Sequence, residues 1–241
     1  HPRYLAFIAG APSKAASVFD LVVGSSSLCG STWLGGAGMV FAENQALRWI
    51  ADLAGLPAAA GGCFVTGGTM GNLSALVTAR YDAAEKRAIT DRPRPDRWAV
   101  IAAESAHSSV DSAARVMDVD VVLAAVDGNR RLRGDAVAEA ITNRPAGTEV
   151  FAVNATAGTT NLGIVDDLEG VADACAEFGV WLHVDGAYGG AAMAAPSVRY
   201  RFDGIERCDS LVVDPHKWLF SPFDCAALLY RDPPVARAAH T

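Results

Sequence analysis

A lysine placed directly behind a buried apolar run is costly unless it has a task, and Leu211-Val212-Val213-Asp214-Pro215-His216-Lys217-Trp218 places one there. A desolvated, neighbour-tuned lysine is the nucleophile that Schiff-base chemistry needs; read alone, the motif also fits a lysine snorkelling to the surface. Asp185 follows the apolar run Trp181-Leu182-His183-Val184 and demands a cationic or donating partner in its turn. His183 and Asp185 together suggest a metal, but no further ligand set at fixed spacing supports one, and no metal site is predicted. Three more segments have the same placement. Thr66-Gly67-Gly68-Thr69-Met70-Gly71-Asn72 is a glycine-rich turn into a helix, either a plain connection or a cradle for phosphate on the helix N-terminus. His107 stands in Glu104-Ser105-Ala106-His107-Ser108-Ser109, where Ser108 or Ser109 is the expected helix cap. Asn154-Ala155-Thr156-Ala157-Gly158-Thr159-Thr160 is a small, hydroxyl-rich turn.

The elements that must position these residues follow from periodicity. Short apolar runs at Gly62–Val65, Trp98–Ile101, Val119–Ala124, Val150–Val153, Val180–Val184, Leu211–Val213 and Cys225–Tyr230 are predicted strands. Helical patterns lie at Glu43–Leu53, Asn72–Thr90, Ser108–Met117, Asp135–Asn143 and Asp167–Phe178. Such alternation implies crossover connections, hence an α/β fold with a mainly parallel seven-stranded sheet and helices on both faces. Ligands of open α/β sheets bind outside the carboxyl ends of the strands, where all five motifs fall. An anion cradle, a histidine, a buried aspartate and an activated lysine along one sheet edge are together what pyridoxal 5'-phosphate requires.

The same segments carry a resemblance. HPRYLAF, GGTMGNLSALVTAR, ESAHSSV, NATAGTTNLGIVDDL, WLHVDGAYGG and DPHKWLFSPFDC resemble the group II pyridoxal-phosphate-dependent amino-acid decarboxylases, which include aromatic-L-amino-acid, glutamate and diaminobutyrate decarboxylases of fold type I. The resemblance implies a carboxy-lyase that turns an L-amino acid into an amine and CO₂. Carried over residue by residue, it makes Lys217 the Schiff-base lysine, Asp185 the partner of the pyridine nitrogen and His107 the ring stacked on the cofactor. Ala187 would pack on the opposite face. Gly67, Gly68, Thr69 and His216 would hold the phosphate, with Asp214 and Thr156 completing the cofactor site. It also implies a homodimer with the site at the interface. Small residues in Phe7-Ile8-Ala9-Gly10 and Cys29-Gly30-Ser31-Thr32 leave both aromatic and smaller substrates open. Another fold-type-I enzyme, such as an aminotransferase, and a truncated, non-catalytic binding fragment are the competing readings.

Composition narrows the class. The chain has 241 residues, 51% hydrophobic and 20% charged, with a mean hydropathy of +0.20, enough apolar surface for a globular core. A formal charge of −7 argues against nucleic acid as a partner. The uncharged run Leu21–Ala42 is long enough to span a bilayer, but ten of its twenty-two residues are Gly, Ser or Thr, and it is read as buried loop forming a pocket wall. Five scattered cysteines without a CxxC pair suggest a reducing, cytoplasmic setting. The segment Asp91–Arg97 is a solvent loop, and no domain boundary is placed inside the chain. Residues 1–241 are expected to be a cofactor-binding large domain, without the family's N-terminal segment, mobile catalytic loop and C-terminal small domain.

Overall fold

The computed structural model describes residues 8–241, so HPRYLAF, including Phe7, lies outside the described residues. The seven apolar runs become β1 (Gly61–Val65), β2 (Arg97–Ala103), β3 (Asp120–Ala124), β4 (Thr148–Thr156), β5 (Trp181–Asp185), β6 (Ser210–Val213) and β7 (Ala226–Tyr230). They form one sheet in the order β1-β7-β6-β5-β4-β2-β3. Every pair between β6 and β3 is parallel, whereas β7 is antiparallel to both β6 and β1. Two reversals cancel, so β1 points the same way as β2 to β6, and their carboxyl ends share one edge.

The helices are α1 (Lys14–Ser26), α2 (Trp33–Ala54), α3 (Gly68–Ile89), α4 (Ser109–Met117), α5 (Gly134–Thr142), α6 (Leu168–Phe178), α7 (Pro215–Trp218) and α8 (Pro233–Ala239). Successive strand residues serve opposite layers. Ile101 and Val184 join Leu47 of α2, Val137 of α5 and Val171 of α6 on one face, while Val100 and Val212 join Leu76 of α3, Val110 of α4 and Ala236 of α8 on the other. Leu76 is fully buried, and its truncation to Ala would cost about 2–5 kcal/mol.

The run Leu21–Ala42 departs from its expected form. It is not buried loop: α1 ends in it, α2 begins in it, and no residue of α1 is buried. Two hydroxyls explain the helices. Ser13 Oγ accepts the Ala16 N–H at 3.2 Å and Thr32 Oγ1 accepts the Gly35 N–H at 3.1 Å, each meeting an otherwise unpaired donor of the first turn. The glycines leave their mark as a kink at Gly36 rather than as a break. Among the described residues, no helix is long and apolar enough to cross a membrane.

Candidate active site

The shared sheet edge brings most of the singled-out residues into one cavity of about 260 Å³. Thr66 to Thr69 reach it from the end of β1, His107 from the end of β2, Ala187 from the end of β5, and Asp214, His216 and Lys217 from the end of β6. Pro215 opens α7, its fixed φ suited to a first helical position, and the short turn holds Lys217 over the cavity.

One wall is the start of α3, which begins four residues earlier than the periodicity suggests. Gly67 sits at φ +143°, a conformation that side chains rarely adopt, and no side chain caps the helix. The first-turn N–H groups of a 22-residue helix are therefore available to an anion. A Cβ on Gly67 would meet nothing within 4 Å, while one on Gly68 would lie 3.0 Å from Ala187 Cβ and 3.1 Å from Asp214 Oδ2. The cradle is open on one side and close-packed on the other, where a Cβ would force Ala187 or Asp214 to give way. These features fit a phosphorylated cofactor.

Opposite this wall, Lys217 Nζ pairs with Asp214 Oδ2 at 2.8 Å, and Asp214 Oδ1 is buried without a partner. Burial pushes the Asp214 pKa up, and the Lys217 ammonium opposes that shift. His216 is buried, with Nδ1 against the Cys225 backbone and Nε2 3.8 Å from Asp214.

Asp185, the last residue of β5, lies behind the cavity and is buried. Its Oδ1 accepts the Ala187 N–H at 3.0 Å and its Oδ2 accepts an Asn72 Nδ2 hydrogen at 2.8 Å. His183, two residues back on the same strand face, is bonded to Asn72 and Ser210 inside the core. Burial pushes its pKa down to about 4, so the ring is neutral. His107 is exposed at the cavity rim, yet its Nδ1 accepts the Ser109 N–H at 3.2 Å. Ser108 occupies the cap position of α4 without a side-chain cap bond; the histidine does that work instead.

Thr156 is placed differently from the others. It pairs with Asp185 in the β4–β5 register and is buried, but it does not line the cavity. Its N–H donates to Asp166 Oδ2 at 2.7 Å, and Asp166 Oδ1 accepts the Leu132 N–H at 2.8 Å. Burial outweighs these two donors and pushes the Asp166 pKa up to about 6. Sequence reasoning passed over Asp166 and quoted Asn72 and Thr160 only within their turns, without a role for either; a carboxylate two residues after Ile164 in a stretch facing the core was the available signal for the first. Thr160 and His107 also line a second, adjoining cleft of about 510 Å³ with Glu104, Arg130 and Asn161.

Comparison with known proteins places this geometry in a family. The pyridoxal-dependent decarboxylase conserved domain matches residues 1–239. Aromatic-L-amino-acid decarboxylase from Bacillus atrophaeus is 35% identical over 236 residues, covering 96% of this chain and 48% of the relative. Tryptophan decarboxylase 1 from Oryza sativa subsp. japonica is 33% identical over 248 residues, with 96% and 48% covered. Among solved structures, Oryza sativa TDC with PLP and tryptamine superposes with a TM-score of 0.87 at 33% identity, covering 95% of this chain and 49% of that one. The glutamate decarboxylase domain of a Vibrio parahaemolyticus diaminobutyrate enzyme gives 0.87 at 28% identity, over 98% and 53%. The chain spans about half the length of the curated relatives it matches. With an α/β sheet, an anion cradle and a buried carboxylate assembled around Lys217, this chain belongs to the pyridoxal-dependent decarboxylase family.

Proposed function

We propose that residues 1–241 are the cofactor-binding large domain of an enzyme that removes the α-carboxylate of an L-amino acid, yielding an amine and CO₂. The observation that carries this reading is the single cavity joining the uncapped start of α3 to Lys217, with Asp185 behind it. Gly67, Gly68 and Thr69 would hold the phosphate, with His216 beside it. Lys217 would bond the cofactor's carbonyl carbon, Asp185 would face its ring nitrogen, and His107 and Ala187 would cover its two faces. Thr156 would support the site through its pairing with Asp185.

Bound there, pyridoxal phosphate supplies an electron sink for the pair released when the bond to the carboxylate breaks. The chain's own residues prepare that event. Lys217 Nζ must shed a proton before it can act as a nucleophile, and Asp214 Oδ2 at 2.8 Å is the acceptor in reach. Asp185 would keep a proton on the cofactor's ring nitrogen, and its buried setting would make that charge pair strong. His107 covers the cavity mouth against water. The adjoining cleft, lined by Arg130 and Asn161, would receive the rest of the substrate. The named relatives favour an aromatic amino acid as substrate.

The active unit is proposed to be a homodimer with the site at its interface. Supporting this, α1 and the first half of α2 expose Phe19, Leu21, Trp33, Leu34 and Phe41, large apolar side chains of the kind that an interface covers. A cytoplasmic location is supported by five cysteines that are all unpaired thiols. The deciding experiment is purification with pyridoxal phosphate and a panel of L-amino acids scored for CO₂ and amine. Keto-acid formation without CO₂ would replace this reading with an aminotransferase.

A further inference from the structure

Behind the cavity, seven side chains from β5, β6, α3, α4 and the turn before α4 form a continuous hydrogen-bond chain, and groups that can only donate or only accept fix its direction. The Trp181 Nε1–H donates to Ser210 Oγ at 2.8 Å and leaves the Ser210 hydroxyl hydrogen free to point at His183 Nδ1, 2.9 Å away. Neutral and fully buried, His183 then carries its one proton on Nε2, which donates to Asn72 Oδ1 at 2.9 Å. Both Asn72 amide hydrogens must face the other way. One reaches Asp185 Oδ2 and the other Ser109 Oγ, each at 2.8 Å. The reversed amide would set an oxygen against a carboxylate oxygen, so only this orientation is stable.

The second fixed donor lies at the far end. The backbone N–H of Ser109 donates to His107 Nδ1 at 3.2 Å, and a backbone N–H cannot accept. The Ser109 hydroxyl, having accepted from Asn72, donates to the same Nδ1 at 2.9 Å. Both ends therefore demand the same polarity. Asn72 and Ser109 are buried, 1% and 2% exposed, so water does not offer either of them an alternative partner.

We infer that Asn72 is a positioning residue that couples Asp185 to His107, and that the chain fixes the singly protonated His107 ring with its hydrogen on Nε2. That is the nitrogen α4 does not occupy, on a ring that lines both the cofactor cavity and the adjoining cleft. It presents an N–H donor suited to an anionic oxygen, the carboxylate of a bound amino acid. The assignment of that ligand rests on the proposed function; the hydrogen-bond polarity does not. A displacement of Asn72 would be felt at once by the Asp185 carboxylate and, through Ser109, by the His107 ring.

The test is made on cofactor-free protein labelled with ¹⁵N at histidine, so it is independent of whether amino acids are decarboxylated. Long-range ¹H–¹⁵N spectra at about pH 9, where an ordinary imidazole ring is singly protonated, should show His107 and His183 both protonated at Nε2 and bare at Nδ1. A hydrogen on Nδ1 of either ring overturns the inference without any variant being made. Asn72→Asp keeps the shape of the side chain but replaces its donors with acceptors, and it should shift the His107 ring resonances although it does not touch that ring. In a Ser109→Ala background the same substitution should leave them unmoved. An equal shift in both backgrounds, or none in either, shows that Asn72 does not act on His107 through Ser109.

Discussion

Lys217 Nζ lies 2.8 Å from Asp214 Oδ2, and the two residues are three positions apart on a single short helical turn. The pair is both a store for the lysine proton and the reason the lysine is held over the cavity. Asp214→Asn keeps the shape and removes the proton acceptor. Cofactor capture by the apoprotein, followed by absorbance after mixing, should slow by about 10²-fold, the scale of a positioned base. An unchanged capture rate would assign Asp214 a purely structural role.

The sequence contains three lysines, Lys14, Lys86 and Lys217, and only the last lines the cavity. Borohydride reduction of the cofactor-loaded protein followed by peptide mapping should place the label on Lys217. Label on Lys14 or Lys86 would move the site elsewhere.

Asp185 meets one donor at each oxygen, so its carboxylate is oriented before any ligand arrives. Asp185→Ala should reduce kcat by about 10²-fold or more while cofactor affinity falls less, since the phosphate cradle is untouched. Full kcat in this variant would contradict its role at the ring nitrogen.

Both oxygens of Asp166 accept backbone N–H groups, from Leu132 and Thr156. An amide at this position must turn an NH₂ toward one of those donors. Asp166→Asn should therefore destabilise the fold by about 1–3 kcal/mol in urea titration. The loss should exceed that of an exposed control such as Asp135→Asn.

His183 and Asp166 impose opposite pH dependences over the same range. The His183 pKa falls from 6.5 to about 4 on folding, so the unfolded chain binds more protons between those values and stability is lost as pH drops through them. The Asp166 pKa rises from 3.8 to about 6, so the folded chain binds more protons there and stability is lost as pH climbs. His183→Gln removes the first dependence and leaves the second. Between pH 6.5 and pH 4, this variant should lose less stability on acidification than the parent; equal loss would mean that His183 is not the buried neutral group described.

Much of this arrangement is legible in the sequence. Lys217, Asp185 and His107 each stand just past an apolar run, and a parallel sheet gathers such positions at one edge by topology alone. The helices around Leu21–Ala42 were hidden because glycine and serine read as loop, and Ser13 and Thr32 act as caps only once their helices exist. Asn72 and Asp166 were hidden for a different reason. Asn72 acts on Asp185 and His183, 113 and 111 positions away, and no local pattern encodes such a partner.

The reversed strand also sets a timetable. β1 has a single neighbour, β7, and Gly61 finds its register only opposite Tyr230. During synthesis from the amino end, the strand that leads into the phosphate cradle must wait for nearly the whole described chain to emerge, while β2, β3, β4 and β5 can already pair. The cradle, encoded early, is among the last parts of the site to be secured, and a nascent chain arrested before β7 would carry its glycine loop without the neighbour that holds it beside Lys217.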